Sequence, residues 1–180
     1  PSDDETIFGK ERYELYQQGI WMDWADTFLQ KNAATQNYSL SVSGGNENTK
    51  AYLSFNYTDE KGQYKGDEYK LYSTSMRVDH NVKPWLTVGS SLQGSYGIHD
   101  SAQDTLENAL VTDPLIRASN SDGSLTPDLG NNVYNLLPNY QPGVCVNQRN
   151  NLQVNVHPYV EIRPLTGSTI TSRARIRMNN

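Results

Sequence analysis

Several residue types that stabilise ordinary globular domains are scarce in this 180-residue chain. There is one cysteine, Cys145, so no disulfide can form within the chain. Three phenylalanines stand against twelve tyrosines, and hydrophobic residues make up 36% of the sequence. No stretch of about 18 apolar residues is present, which excludes a membrane-spanning helix. This composition favours a sheet that is wet on one face over a densely packed core.

Basic charge is also scarce. The formal net charge is −5 and the isoelectric point is near 5.1. Lysine and arginine are not clustered, apart from one short arginine run near the C-terminus. Nucleic acid is therefore not expected as a partner.

The sequence offers no set of residues typical of catalysis. The three histidines, His80, His99 and His157, are far apart and lack the spacing of metal ligands. A nucleophile elbow, a phosphate-binding glycine loop and a Cys/His pair are all missing, and Cys145 is interpreted as a small loop residue. We therefore expect a protein that is not an enzyme and that holds no metal or cofactor.

The most regular pattern lies between Gln36 and Tyr57. Apolar residues alternate with polar ones in two arms, which is the two-residue period of a β-strand. The two arms are joined by Gly44–Asn48, whose residue types tolerate the backbone angles of a tight turn. The apolar positions are Tyr38, Leu40 and Val42 in the first arm and Ala51, Leu53, Phe55 and Tyr57 in the second.

The same alternation continues along the chain. It predicts a third strand over 72–79, a fourth over 86–96, a fifth over about 151–163 and a sixth over 169–178. Pro158 falls inside the fifth strand, where a proline predicts a bulge or a sheet edge. The sixth strand carries Arg173, Arg175 and Arg177, the arginine row, on one face. Because an unpaired buried charge is costly, this face must border water, and the apolar face is the covered one.

The connections between predicted strands alternate between short and long, with about fifty residues after the fourth strand. This alternation is typical of a transmembrane barrel with tight turns at one rim and loops at the other. The predicted fold is all-β: part of the wall of an antiparallel up-and-down transmembrane β-barrel, with about six strands, a short helix in an N-terminal loop and one long extracellular loop. The divisions are an extracellular loop over 1–35, four strands over 36–97, the long loop over 98–148 and two strands over 149–180. Six strands cannot close a barrel, so a fragment is expected.

Three groups of residues are candidate ligand contacts. Trp21, Trp24 and Phe28 lie at helical spacing and either pack against neighbouring loops or form an aromatic platform for a sugar ring. The long loop contributes Asn120, Asp122, Tyr134 and Tyr140, because long polar loops often bind ligands. The arginine row is either a solvated wall neutralised by nearby carboxylates or a cationic lining for acidic glycans and peptide carboxylates.

Several of these segments together resemble one protein family. They are Asp23-Trp24 with Phe28, the stretch QNYSLSVSGGNENTKAYLS from Gln36 to Ser54, GQYKG from Gly62, Tyr72, Arg77, and NVKPWL from Asn81. This combination is similar to the early barrel region of the SusC/RagA family of TonB-dependent outer-membrane transporters. The resemblance covers roughly residues 20 to 97; beyond that, only the general barrel pattern matches.

The resemblance implies a function as well as a fold. Such transporters have barrels of about 22 strands closed by a plug domain. It implies a cell outer membrane location in a Gram-negative bacterium, a SusD-like surface lipoprotein, the TonB-ExbB-ExbD complex and the lipid bilayer as partners, and an oligosaccharide or peptide ligand. Two alternatives remain open at this point: a soluble glycan-binding β-sandwich module and a β-rich secreted hydrolase.

Overall fold

The computed structural model describes residues 3–101, 106–120, 122–126, 135–140 and 147–180. Three short helices open the chain: α1 (Asp3–Phe8), α2 (Lys10–Gln17) and α3 (Trp24–Phe28). The Asp23 side chain caps α3 by accepting a hydrogen bond from the Asp26 backbone N–H at 3.0 Å. A fourth helix, α4 (Leu106–Val111), and a 3₁₀ turn (Leu137–Tyr140) lie in the long connection.

The strands form one antiparallel sheet in which neighbours in sequence are neighbours in space. They are β1 (Thr35–Gly45), β2 (Thr49–Lys61), β3 (Glu68–Lys83), β4 (Leu86–Asp100), β5 (Gln148–Ile162), β6 (Ile170–Arg173) and β7 (Ile176–Asn179). The order is β1-β2-β3-β4-β5-β6, and β7 also pairs with β5. The predicted up-and-down arrangement is confirmed, with β6 and β7 together forming the sixth strand.

The first hairpin has the register that its alternating pattern predicts. Tyr38 pairs with Tyr57 and Leu40 with Phe55, so the apolar residues of both strands share a face. At the turn, the Asn46 side chain accepts hydrogen bonds from the backbone N–H groups of Asn48 and Thr49, at 2.9 and 2.8 Å. Asparagine closes the turn in this way because its carboxamide bonds readily to the backbone two or three residues on.

The bulge or edge expected at Pro158 is wrong. Tyr159 pairs with Arg173 and Val156 with Ile176, so two residues separate the pairs on each strand and the register does not shift. The Pro158 carbonyl still accepts from the Ala174 N–H at 3.0 Å. Directly opposite residues at such a position normally exchange two hydrogen bonds. Only one of them is missing here, because Pro158 has no N–H to donate to the Ala174 carbonyl. This missing bond is what divides the sixth strand into β6 and β7.

The chain divides into two compact units. The loop unit comprises Pro1–Ala33, Gly62–Asp67 and Asp100–Asn147, and the sheet unit comprises Ala34–Lys61, Glu68–His99 and Gln148–Asn180. Within the described residues, the buried hydrophobic side chains are Leu15, Trp24, Phe28 and Ala118, all in the loop unit. Met22, Leu136 and Leu137 pack against the last three. In the part of the chain that the structure describes, the hydrophobic core therefore lies in the loop unit.

The apolar face of the sheet is bare. Leu40 is 75% exposed, Val42 63% and Ile176 56%, although each occupies a position that alternation marks as apolar. A β-sandwich would cover these side chains with a second sheet, whereas the described strands form a single sheet. Among the described residues, none of the helices has the length and apolar character to cross a bilayer.

Candidate ligand-facing surface

The polar face of the sheet unit contains a depression that gathers part of the arginine row. It has a volume of about 500 Å³, and its lining includes Arg173 and Arg175 from the sixth strand with His157 and Tyr159 from β5. Arg77 from β3 and Ser91 from β4 also line it, as do Pro158, Glu161 and Ala174. We call this depression the arginine niche.

A half-buried tyrosine, Tyr159, forms the floor of the arginine niche. The Tyr159 hydroxyl donates to Asp79 Oδ1 at 2.5 Å. Its ring lies over Gly89, where a side chain would meet Tyr159 Cζ at 2.6 Å and Asp79 Oδ1 at 2.7 Å. Glycine at this point of β4 allows this position of the ring, because any Cβ atom here would force the Tyr159 and Asp79 side chains to move.

The members of the arginine row differ in their contacts. Arg175 donates from Nε to His157 Nε2 at 3.0 Å. Arg177 donates from Nε to Asn179 Oδ1 at 3.2 Å, and it does not line the arginine niche. Arg173 has no hydrogen-bond or ion-pair partner in the part of the chain that the structure describes.

The carboxylates near the arginine niche are already paired. Asp79 forms an ion pair with Arg77, Nε to Oδ2, at 2.9 Å. Glu161 forms one with Arg163, Nη2 to Oε1, at 2.6 Å. Arg173 and Arg175 therefore form no ion pair with a carboxylate of the described strands.

The two candidate tryptophans of the loop unit have different environments. Trp24 is 3% exposed, stacks on Phe28 with ring centroids 5.9 Å apart and donates from Nε1 to the Asp113 carbonyl at 2.9 Å. It therefore belongs to the core of the loop unit, which leaves no free ring face for a sugar. Trp21 precedes α3 and is 67% exposed. Of the predicted platform, Trp21 is the member that a ligand can reach.

The candidates of the long loop fall partly within the described residues. Asp122 accepts hydrogen bonds from Ser124, from the backbone N–H at 2.9 Å and from the hydroxyl at 2.6 Å. These bonds favour the ionised carboxylate and hold the pKa of Asp122 below its usual value. Asn120 donates to the Ser124 hydroxyl at 2.9 Å, so both residues serve the turn itself. Tyr134 lies outside the described residues, and of Tyr140 only the backbone is described, at the end of the 3₁₀ turn.

The three histidines lie apart, each with a partner of its own. His80 bonds to the Thr49 hydroxyl at 2.8 Å and His99 packs edge-on against Tyr69 with centroids 6.0 Å apart. His157 accepts from Arg175. Within the described residues, no group of three His, Cys, Asp or Glu side chains is arranged to hold a metal ion.

Sequence reasoning missed four residues that shape the arginine niche: Arg77, Asp79, His157 and Tyr159. Their signal was present, because the two-residue period assigns all four to the polar face of β3 and β5. The period does not indicate the register between non-adjacent strands. The contact of Asp79 with Tyr159 depends on that register.

No family model matches the chain. Three relatives are TonB-dependent receptors of Formosa agariphila: receptor P39 is 28% identical over 57% of this chain, receptor P26 29% over 57% and receptor P3 27% over 73%. The chain spans 10% of the length of the first two and 14% of the third.

Solved structures with the same fold are RagAB complexes. The RagAB peptide importer in its closed-closed state matches 98% of this chain with a TM-score of 0.67 at 20% identity. The RagAB peptide transporter matches 89% with a TM-score of 0.67 at 22% identity. The chain covers 22% and 19% of those chains.

One sheet with a bare apolar face and a polar face that carries free charge defines a wall segment of an antiparallel transmembrane β-barrel, and the match to RagAB confirms this fold. Together with the sequence relatives, it confirms the resemblance found in the sequence. The chain is similar to a segment of a TonB-dependent receptor of the SusC/RagA kind.

Proposed function

We propose that this chain forms part of the barrel wall of a TonB-dependent outer-membrane importer that takes up oligosaccharides or peptides. The observation that carries the proposal is the bare apolar face of the sheet, with Leu40 at 75% and Ile176 at 56% exposure. Exposing so many large apolar side chains to water is unfavourable, whereas hydrocarbon stabilises them. The sequence relatives, all named as TonB-dependent receptors, support the same role.

In this role the opposite face of the sheet lines an aqueous passage. Its side chains are hydrophilic and include the arginine niche, which is suited to contact with a passing ligand. The protein binds and moves its ligand and makes or breaks no covalent bond. The relatives support this assignment, because their names are those of receptors and importers and not of enzymes.

The proposed partners are a SusD-like surface lipoprotein and the TonB-ExbB-ExbD complex in a Gram-negative cell. Support for the lipoprotein comes from the RagAB complexes, whose names denote two-component assemblies. Support for the energy source comes from the names of the sequence relatives. The lipid bilayer is the third partner, at the apolar face.

Uptake by cells tests this proposal. A strain in which the gene containing this chain is deleted should lose import of one class of fluorescently labelled oligosaccharides or peptides. Re-introducing the gene should restore import, and a protonophore should abolish it in the restored strain, because TonB-dependent uptake uses the proton gradient. Recovery of the intact protein from the soluble fraction, with unchanged uptake in the deleted strain, would contradict the proposal.

A further inference from the structure

We infer that the arginine niche is a binding site for a carboxylate group, contributed by an acidic sugar or an acidic peptide side chain. The inference rests on the proposed function and gives it a substrate class. The two residues that hold the carboxylate are Arg173 and Arg175, which line the same depression from one strand.

The arginine niche has positive charge available for a ligand. Arg173 is unpartnered among the described residues, and Arg175 uses only Nε, which donates to His157. A guanidinium group carries five N–H donors in a planar fork that matches the two oxygens of a carboxylate. The niche therefore presents several unused charge-assisted donors, which bind an anion more strongly than neutral donors do.

The carboxylates of the lining do not compete with a ligand for these arginines. Glu161 is the carboxylate that lines the niche, and it is paired with Arg163 at 2.6 Å. Asp79 is occupied by Arg77 and by Tyr159. Because these internal anions have partners, an incoming carboxylate does not need to displace an existing ion pair.

The floor of the arginine niche, formed by Tyr159, is preorganised. Tyr159 is fixed at its hydroxyl by Asp79 and at its ring by Gly89, so the wall beside Arg173 is held in one conformation. Its register partner on the sixth strand is Arg173, which aligns the two side chains on one face. A rigid neighbour reduces the entropy lost when a ligand is held by flexible arginine side chains.

Arg177 supplies a matched control. It has the same side chain, lies on the same face of the same strand and is exposed, but it does not line the niche. Any effect of general positive charge on the passage should appear in Arg177→Gln as well. An effect of the site should appear only in the Arg173→Gln/Arg175→Gln variant.

The experiment measures uptake by cells that carry the complete receptor polypeptide containing this chain. Two probe pairs differ only in charge: an oligogalacturonate and its methyl ester, and an end-blocked pentapeptide with one glutamate and the same peptide with glutamine. The double variant should reduce uptake of one acidic probe about tenfold or more. Uptake of its neutral counterpart should change less than twofold, and Arg177→Gln should leave both within about twofold. The probe pair that responds identifies the source of the carboxylate.

Equal losses for the acidic and neutral probes, or an equal effect of Arg177→Gln, would overturn the carboxylate site. Import of the neutral probes separates this failure from failure of the proposed function. If neutral probes enter and acidic uptake is unchanged in the double variant, the importer stands and the site is wrong. If no probe depends on the gene, the importer itself is wrong.

Discussion

The hydroxyl of Tyr159 donates a hydrogen bond to the carboxylate of Asp79, eighty positions earlier in the chain and 2.5 Å away. The two residues belong to β5 and β3, so the bond crosses β4, the strand that lies between them. Backbone hydrogen bonds join only adjacent strands, whereas this side-chain bond links β3 to β5 across β4. Gly89 makes it possible by leaving the surface of β4 free for the ring.

Replacing Gly89 with alanine should destabilise the sheet. The new Cβ atom would meet Tyr159 Cζ at 2.6 Å and Asp79 Oδ1 at 2.7 Å, so the tyrosine must move and lose its bond. Overpacking of this kind costs about 1 to 3 kcal/mol in the free energy of unfolding. Urea unfolding of the receptor in vesicles, followed by electrophoretic mobility without boiling, measures the change.

Gly44→Ala is the matched control, because a Cβ atom at Gly44 meets no atom within 4 Å. Its free energy of unfolding should stay within about 0.5 kcal/mol of the parent. A Gly89→Ala variant as stable as Gly44→Ala would show that the ring does not need the space above Gly89.

The bond of Tyr159 to Asp79 should itself be measurable. Tyr159→Phe keeps the ring and removes the donor, which should lower the free energy of unfolding by about 1 kcal/mol. Asp79→Asn should cost more, since Arg77 then loses its ionic partner as well. A double-mutant cycle should give a coupling energy of about 0.5 kcal/mol or more. Strict additivity of the two substitutions would contradict a direct interaction.

The two tryptophans of the loop unit should separate stability from binding. Trp24→Ala removes a side chain that is 3% exposed and should destabilise the loop unit by about 3 to 5 kcal/mol. Limited proteolysis should then cut the loops faster. Trp21→Ala, at 67% exposure, should leave the proteolysis rate unchanged.

If Trp21 stacks on a sugar, Trp21→Ala should weaken oligosaccharide binding about tenfold with no loss of fold. Isothermal titration with the intact receptor in detergent measures the affinity. Unchanged affinity would remove Trp21 from the candidate ligand contacts.

The turn at Asp122 should respond to acid in a defined direction. The hydrogen bonds from Ser124 lower the pKa of Asp122 in the folded state. The stabilisation of the turn is therefore complete above the ordinary aspartate pKa of about 3.9 and is lost as pH falls through the lower, folded value. Ser124→Ala should raise the pKa of Asp122 towards the ordinary value, measured by NMR of the side-chain carboxyl carbon. No rise would mean that the hydroxyl bond does not form in solution.

The two-residue period was sufficient to predict the strands, their order and the sidedness of the sheet. The prediction succeeds because apolar and polar residues alternate along β1 to β5, so the type of each residue indicates the face of the sheet on which it lies. The period could not reveal that Arg173 and Arg175 share a depression with Arg77 while Arg177 does not, since that depends on which residues of distant strands lie side by side. Trp21 and Trp24 show the same limit. Helical spacing grouped them, but only the packing around Phe28 and Ala118 shows that one is buried and the other is not.

Pro158 illustrates a different limit of sequence reasoning. A proline within a strand usually signals an edge or a bulge because it cannot donate to the ladder. Here the loss is confined to one bond towards Ala174, and the register on either side is the same. The rule fails because a single missing bond costs only about 1 kcal/mol, which the four residue pairs on each side offset.

The sheet has two outer strands, β1 and the β6–β7 pair, and each has a single neighbour in the described topology. Along β1, eleven residues from Thr35 to Gly45 bond on one side only. An exposed strand edge of this kind pairs readily with another extended segment. The N–H and C=O groups on the open side of β1 bond readily to a neighbouring strand, and within hydrocarbon they must do so, because no water is present to satisfy them.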